Sequence, residues 1–371
     1  MIFAATPLKR LPSTPFPADF KAWEPKRILD VTHAAIARIE AGNTANKGLE
    51  EQLQKFFARE WNITLPVMDA ANARKEGRPL ILAGQGCSNM VTRRLAASRR
   101  ILPFQKGYEV RVIPELFDWK TGAVFLGGAT PDEIMEGAAI LTARFKNPAE
   151  LSFLIRCKDS KPTAPQLLKS RFRAIRTLYS GGKAWLPRTY AISSMNTLYM
   201  DYLRNGADED LLHYSKVLKF YEDIYDTVKG NSDRPPTFTA HMLAWQVAGL
   251  EDNPLFSAED RARAARLIRR IGEDTMNFWE MREPMKLYDT NKLAYLTNHP
   301  IFASRTSYFC GEYLLYRYNY APAKYWMAAA AHAMKGIEPH PIGPEDAPGY
   351  HHLCTTIFID YALASGNYDM S

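Results

Sequence analysis

The hydrophobic periodicity of this chain changes once, near residue 160, and that change limits the possible folds more than any motif. Before it, short apolar runs alternate with helical stretches. After it, helical segments follow one another across short breaks and strands almost vanish. Residues 1–30 are rich in Pro and Lys and read as an extended lead-in. Helical spacing is predicted over 30–41 and again over 49–61, where Leu49, Leu53, Phe56 and Phe57 share a face. Strands are predicted at 79–84, 108–113, 123–128 and 151–156, with a helix over 133–144 that opens at Thr130-Pro131. This mixture predicts a small α/β domain over 31–160.

The polar, Pro-containing run from Lys158 to Pro165 is the natural domain boundary. Beyond it, helices are predicted near 165–178, 191–204, 209–228, 237–249, 257–281, 301–317, 321–335 and 351–365. Asn205-Gly206 and Gly249 sit at expected helix stops, and Ser257 to Asp260 reads as a capping box. The fold class expected is therefore α+β: a small α/β domain followed by a helical domain over 165–371. Helix pairs joined by short loops stack into solenoids or close into α/α toroids. The segments counted here are fewer than a closed ring needs, so an incomplete toroid, or a piece of a longer protein, is the expectation.

Composition excludes several classes. Hydrophobic residues make up 46% of the chain and charged residues 23%, which rules out wholesale disorder. No apolar run approaches a membrane span. The net charge of +7 is spread along the chain, with a local basic excess over 93–106; nucleic-acid binding calls for a concentrated stripe, so no nucleic-acid partner is expected. A modest positive charge suits a polyanionic substrate equally well. Cys87, Cys157, Cys310 and Cys354 form no CxxC pair, so neither a zinc knuckle nor a disulfide framework is legible. The first residues lack the apolar core of a secretory leader. Gly84-Gln85-Gly86 follows a strand, but Asn89 stands where a dinucleotide fingerprint needs its third glycine. No cofactor is expected, and a structural divalent cation remains compatible with the sequence.

Three groups of residues could carry chemistry. Asn298 and His299 stand side by side just ahead of a helix, with Arg305, Thr306 and Tyr308 downstream. An amide next to an imidazole can hydrogen-bond a carboxylate and offset its charge, as proton removal beside that carboxylate requires. Alternatively, Asn298 caps a turn and His299 bonds a backbone carbonyl. The second group, Glu345 to His352, packs two acids, Tyr350, His351 and His352 into a Pro/Gly loop opening onto a helix. A tyrosine serves as acid or base once nearby cations lower its pKa. The plain alternative is an acidic helix start that complements the helix dipole. Third, His241 and Trp245 share a helix face and could line a sugar cleft with Tyr199 and Tyr288, while Arg234 precedes that helix. A histidine packed against a core tryptophan is the competing reading.

The stretch Gly181 to Trp185, the break from Tyr202 to Gly206, Thr297-Asn298-His299 and Glu345 to Tyr350 resemble the α/α-toroid polysaccharide lyases, of the heparinase II/III-like and alginate lyase groups. The resemblance covers roughly 165–371. The stretch 79–145 is similar to the small α/β domain of several carbohydrate-active enzymes. The resemblance implies β-elimination on a uronic-acid polysaccharide, with Asn298 as neutraliser, His299 as neutraliser or base, and Tyr350 in the proton-transfer role assisted by His351 or His352. It implies a substrate-carboxylate contact from Arg305 and a secreted or periplasmic location; Tyr308, His241, Trp245, Arg234, Glu345 and His352 are further candidate substrate contacts, and no metal ligand is expected. It also implies an acidic polysaccharide or oligosaccharide as partner, no membrane partner, and either a C-terminal β-domain not contained in this sequence or a homo-oligomer. Two other readings fit the sequence. One is a glycoside hydrolase, with Glu345 or Asp346 facing Asp289 or Glu283; the other is a non-catalytic glycan-binding module.

Overall fold

A computed structural model describes residues 24–40, 48–102, 107–116, 121–158, 185–225, 235–337 and 348–366; the side chains of 185–190, 348, 350 and 351 lie outside that description. The predicted helix at 165–178, Arg234 and Glu345 lie outside the described residues.

The first part is a six-stranded sheet with helices on both faces. In chain order this part comprises β1 (Ile28–Leu29), β2 (Ala35–Ala37), α1 (Leu49–Trp61), β3 (Val67–Met68), α2 (Ala70–Lys75), β4 (Leu80–Gly84), α3 (Met90–Ala97), β5 (Glu109–Ile113), β6 (Ala123–Gly127), α4 (Pro131–Arg144), β7 (Leu151–Ser152) and β8 (Leu154–Cys157), of which β1 and β7 pair antiparallel as a separate two-stranded sheet. The sheet order is β3-β2-β4-β6-β5-β8. Strands β3, β2, β4 and β6 are parallel, and β5 runs antiparallel to both β6 and β8. Strand alternation separates two cores: Ile81 and Ala83 face α1 and α4, whereas Leu80 and Leu82 face α2 and α3.

The helix predicted over 30–41 is a correction. Its centre, Ala35–Ala37, is a fully buried strand paired with both β3 and β4. Ala-Ile-Ala favours a helix in isolation, but a slot between two parallel strands overrides that preference.

The second part is helical: α5 (Trp185–Asn205), α6 (Asp208–Tyr225), α7 (Ala240–Leu250), α8 (Ala258–Met276), α9 (Arg282–Asp289), α10 (Asn298–Tyr318), α11 (Pro322–Lys335) and α12 (Pro348–Ser365). Side-chain pairs give the direction of these helices. Asn196 meets Gln246, Tyr199 abuts Gly249 and Tyr202 meets Asn253, so α5 and α7 run parallel. Phe238 packs on Phe302, Trp245 on Phe309, and Glu251 pairs with Arg317, so α7 and α10 run parallel. Arg305 pairs with Asp360 and Tyr308 packs on Tyr361, which aligns α12 with α10. Helices α5, α7, α10 and α12 therefore share one direction, and short loops send α6, α8 and α11 back.

The sheet closes the C-terminal end of that parallel set. Arg111 donates to the Leu203 carbonyl of α5 at 2.6 Å, and Arg94 to the Ala364 carbonyl of α12 at 3.1 Å. Arg100 lies 4.0 Å from Asp252, just past α7, and Glu115 accepts from Arg317 in the last turn of α10 at 3.2 Å. Carbonyls and acids at helix C-termini attract cations. Part of the basic excess read at 93–106 thus caps the helical part. Among the described residues, no helix is long and apolar enough to cross a membrane.

Candidate functional site

The capped ends being occupied by the sheet, the other end of the parallel set, at the N-termini of α7, α10 and α12, holds the candidate site. Thr297 is extended and α10 begins at Asn298, one turn earlier than its predicted start. Asn298 is largely buried, and the His299 side chain is 35% exposed. His299 Nδ1 lies 3.1 Å from Oε1 of Glu280, a carboxylate with no exposure. The Thr237 hydroxyl donates to the other Glu280 oxygen at 3.1 Å, and Thr306 donates to the Thr237 carbonyl at 2.8 Å. The carboxylate is thus fixed from two sides. Donation of Nδ1–H to it sets the tautomer that leaves the lone pair on Nε2. Phe238 stands edge-on to the imidazole at 5.6 Å, and Trp279 lies 6.1 Å away with over half its surface in solvent. The result is an oriented histidine beside an amide and an exposed indole.

Register brings α12 to this end. The offset of 53 to 55 residues in the α10–α12 pairs carries Asn298 to the level of residues 351–353. Tyr350 and His351 lie in the first turn of α12, and His352 is exposed there. The backbone thus brings the two sequence segments to one end of the helical part.

Two turns further along α10, Arg305 donates from Nη1 to Asp360 at 3.0 Å and from Nη2 to the Phe238 carbonyl at 3.3 Å. Its guanidinium also lies over the Phe302 ring at 5.3 Å. Arg305 is 5% exposed and Asp360 43%, so solvent reaches this ion pair from the carboxylate side. Burial drops Arg305 to about 10, partly opposed by Asp360.

The remaining predicted contacts are interior. His241 and Trp245 are buried and edge-on at 4.7 Å, and Tyr308 is wedged against Tyr361. His241 Nδ1 and Trp245 Nε1 have no hydrogen-bond partner among the described residues. Burial, with Arg305 and then Arg99 adding repulsion, pushes the His241 pKa far down, so its ring is neutral. Tyr199, proposed as a cleft residue, is fully buried and donates to the Arg99 carbonyl at 2.7 Å. Tyr288 stands edge-on to Tyr325 and His332. Of the hydrolase candidates, Asp289 accepts from Tyr325 at 3.0 Å and Glu283 is exposed.

Four residues escaped the sequence reading: Glu280, Trp279, Asp360 and Arg99. Glu280 and Trp279 precede His299 by about twenty residues with no motif joining them, and only packing brings them together. Arg99 was legible only as part of the basic excess over 93–106. It stands just past the end of α3, where Arg99 N–H bonds the Ala96 carbonyl at 3.0 Å and Arg100 N–H the Leu95 carbonyl at 2.7 Å. That is a Schellman motif, whose left-handed position belongs to glycine. Arg99 has φ 56, and the other non-glycine residues with positive φ among those described are asparagines. A bulky side chain there costs about 1–2 kcal/mol.

Among the described residues, no group of three or more His, Cys, Asp or Glu side chains is placed to hold a metal ion. Comparison with known proteins found no matching family model, no matching curated protein and no matching solved structure.

Proposed function

We propose that this protein is a polysaccharide lyase that cleaves a uronic-acid-containing chain by β-elimination, on an open α/α toroid formed by its helical part. The observation that carries this reading is the His299–Glu280 pair. A solvent-reachable imidazole is oriented by a buried carboxylate at a helix N-terminus, beside Asn298, and level with the first turn of α12.

In this mechanism the Asn298 amide and the positive end of α10 hold the sugar's C6 carboxylate, which makes the C5 proton more acidic. Nε2 of His299 takes that proton. Glu280 stabilises the imidazolium that forms, as a second acid does for histidine bases elsewhere. Electrons from the C5–H bond form the C4–C5 double bond, and the C4–O bond breaks. Tyr350, from the adjoining first turn, delivers the proton to the leaving oxygen. Trp279 offers a flat exposed face on which a sugar ring can stack. A retaining or inverting hydrolase would instead need two carboxylates across a groove. Glu280 is unsuited to that role because it has no exposure and is already engaged by His299 and Thr237.

Incubation with alginate, glucuronan, ulvan, pectin and glycosaminoglycans tests the reading. An ultraviolet-absorbing unsaturated uronide is the expected product from at least one. New reducing ends without that absorbance would replace the lyase by a hydrolase. Tyr350→Phe should lower turnover by orders of magnitude with little effect on binding, whereas Asn298→Ala should weaken both.

A further inference from the structure

Arg99 belongs to the sheet part, yet its guanidinium lies among the parallel helices of the helical part. Its Nη1 donates to Asn196 of α5 at 2.6 Å and approaches the Met242 sulfur of α7 at 3.6 Å. Both of these contacts use Nη1, and the side chain is partly exposed. Arg305 faces the same region from α10 and Asp360 from α12, the latter open to solvent. Arg99 and Arg305 both interact with the Asp360 charge, and Arg99 disfavours the charge on Arg305. Arg305 is paired with Asp360 and Arg99 lies within electrostatic reach of the same carboxylate, which leaves more positive than negative charge beside a neutral His241. Two cations crowd there, and one of them occupies a backbone position that glycine would fill with less strain.

We propose that Arg99 and Arg305 form a second carboxylate-binding subsite, built between the sheet and the helices, for a uronate residue flanking the one that is cleaved. This rests on the lyase reading for the identity of the polymer. Asp360 orients Arg305, and the Arg99 guanidinium supplies charge-assisted hydrogen bonds to the incoming carboxylate. Arg305 is six residues along α10 from His299, a rise of about 9 Å, so the two positions suit different sugars of one chain.

The test is calorimetric titration of the intact protein with acidic hexasaccharides of mannuronate, glucuronate or galacturonate, at low and high salt. Arg99→Gly restores the residue that the Schellman position favours, so its thermal midpoint should equal or exceed that of the unaltered protein. Its affinity for the acidic hexasaccharide should nevertheless fall about tenfold or more, the order expected for one lost charged contact. The salt dependence should also become shallower. Arg99→Asn, which also tolerates left-handed backbone, should behave the same way. Unchanged affinity and salt dependence in both variants would overturn the subsite, whatever the catalytic assays show. If both variants lose affinity while the unaltered protein yields no unsaturated product, the subsite stands and the lyase reading falls.

Discussion

At the scale of single residues, polar groups near the candidate site are tuned by burial. His241 is the clearest case. Burial, Arg305 and Arg99 all disfavour its charged form, so the folded protein holds it neutral where the unfolded chain, with a pKa near 6.5, would protonate it. Unfolding therefore takes up a proton below that pH. The contribution is complete above about 6.5 and is lost as pH falls, at a slope approaching ~1.4 kcal/mol per pH unit. Denaturant titrations between pH 7 and 5 should show this loss in the unaltered protein and a smaller loss in His241→Phe, whose ring fits the same packing against Trp245. Identical pH slopes would show that His241 titrates normally. His241 and Trp245 were legible in the sequence as a pair on one helix face, but whether that face looked into a cleft or a core was not. Helical spacing is the same in either case, and only the neighbouring helices decide it.

At the scale of elements, close approach between helices depends on particular small residues. Gly249 of α7 abuts the Tyr199 ring of α5, and a Cβ there would collide with the phenol oxygen. That oxygen holds the Arg99 carbonyl. Alanine at an exposed helix position would normally stabilise. Gly249→Ala should instead destabilise by about 1–3 kcal/mol in chemical denaturation, because overpacking forces Tyr199 aside. It should also weaken acidic-oligosaccharide binding through Arg99. Most elements were readable in advance. Leu49–Trp61 has a full amphipathic face, and the strands ending at Gly84 and Gly127 are short apolar runs closed by glycine. The misreading at 35–37 had a physical cause. A central parallel strand is buried on both faces, so it carries no alternation, and its alanines favour a helix by local preference. Helix α9, only eight residues long, is too short to show a period against its surroundings.

At the scale of the whole molecule, the sheet and the helical part are joined through buried charges. Arg317, almost without exposure, bonds Glu251 of its own part and Glu115 of the sheet part. Removing one member strands the others in a dry interface. Arg317→Met should cost about 3–5 kcal/mol in denaturant unfolding, far more than a surface ion pair. A loss under 1 kcal/mol would mean that water reaches the network. This join matters for function because it fixes which end of the parallel helices stays open, and His299, Asn298 and the first turn of α12 lie at that end. Proton abstraction by His299 is tested by following the C5 hydrogen of a uronate polymer deuterated at that carbon. Label should pass to solvent as unsaturated product forms, the reaction should be slower than with ordinary polymer, and His299→Ala and Glu280→Gln should lower the rate by about a hundredfold or more. Product that keeps its deuterium at C5, or a His299→Ala protein as fast as the unaltered one, would contradict it.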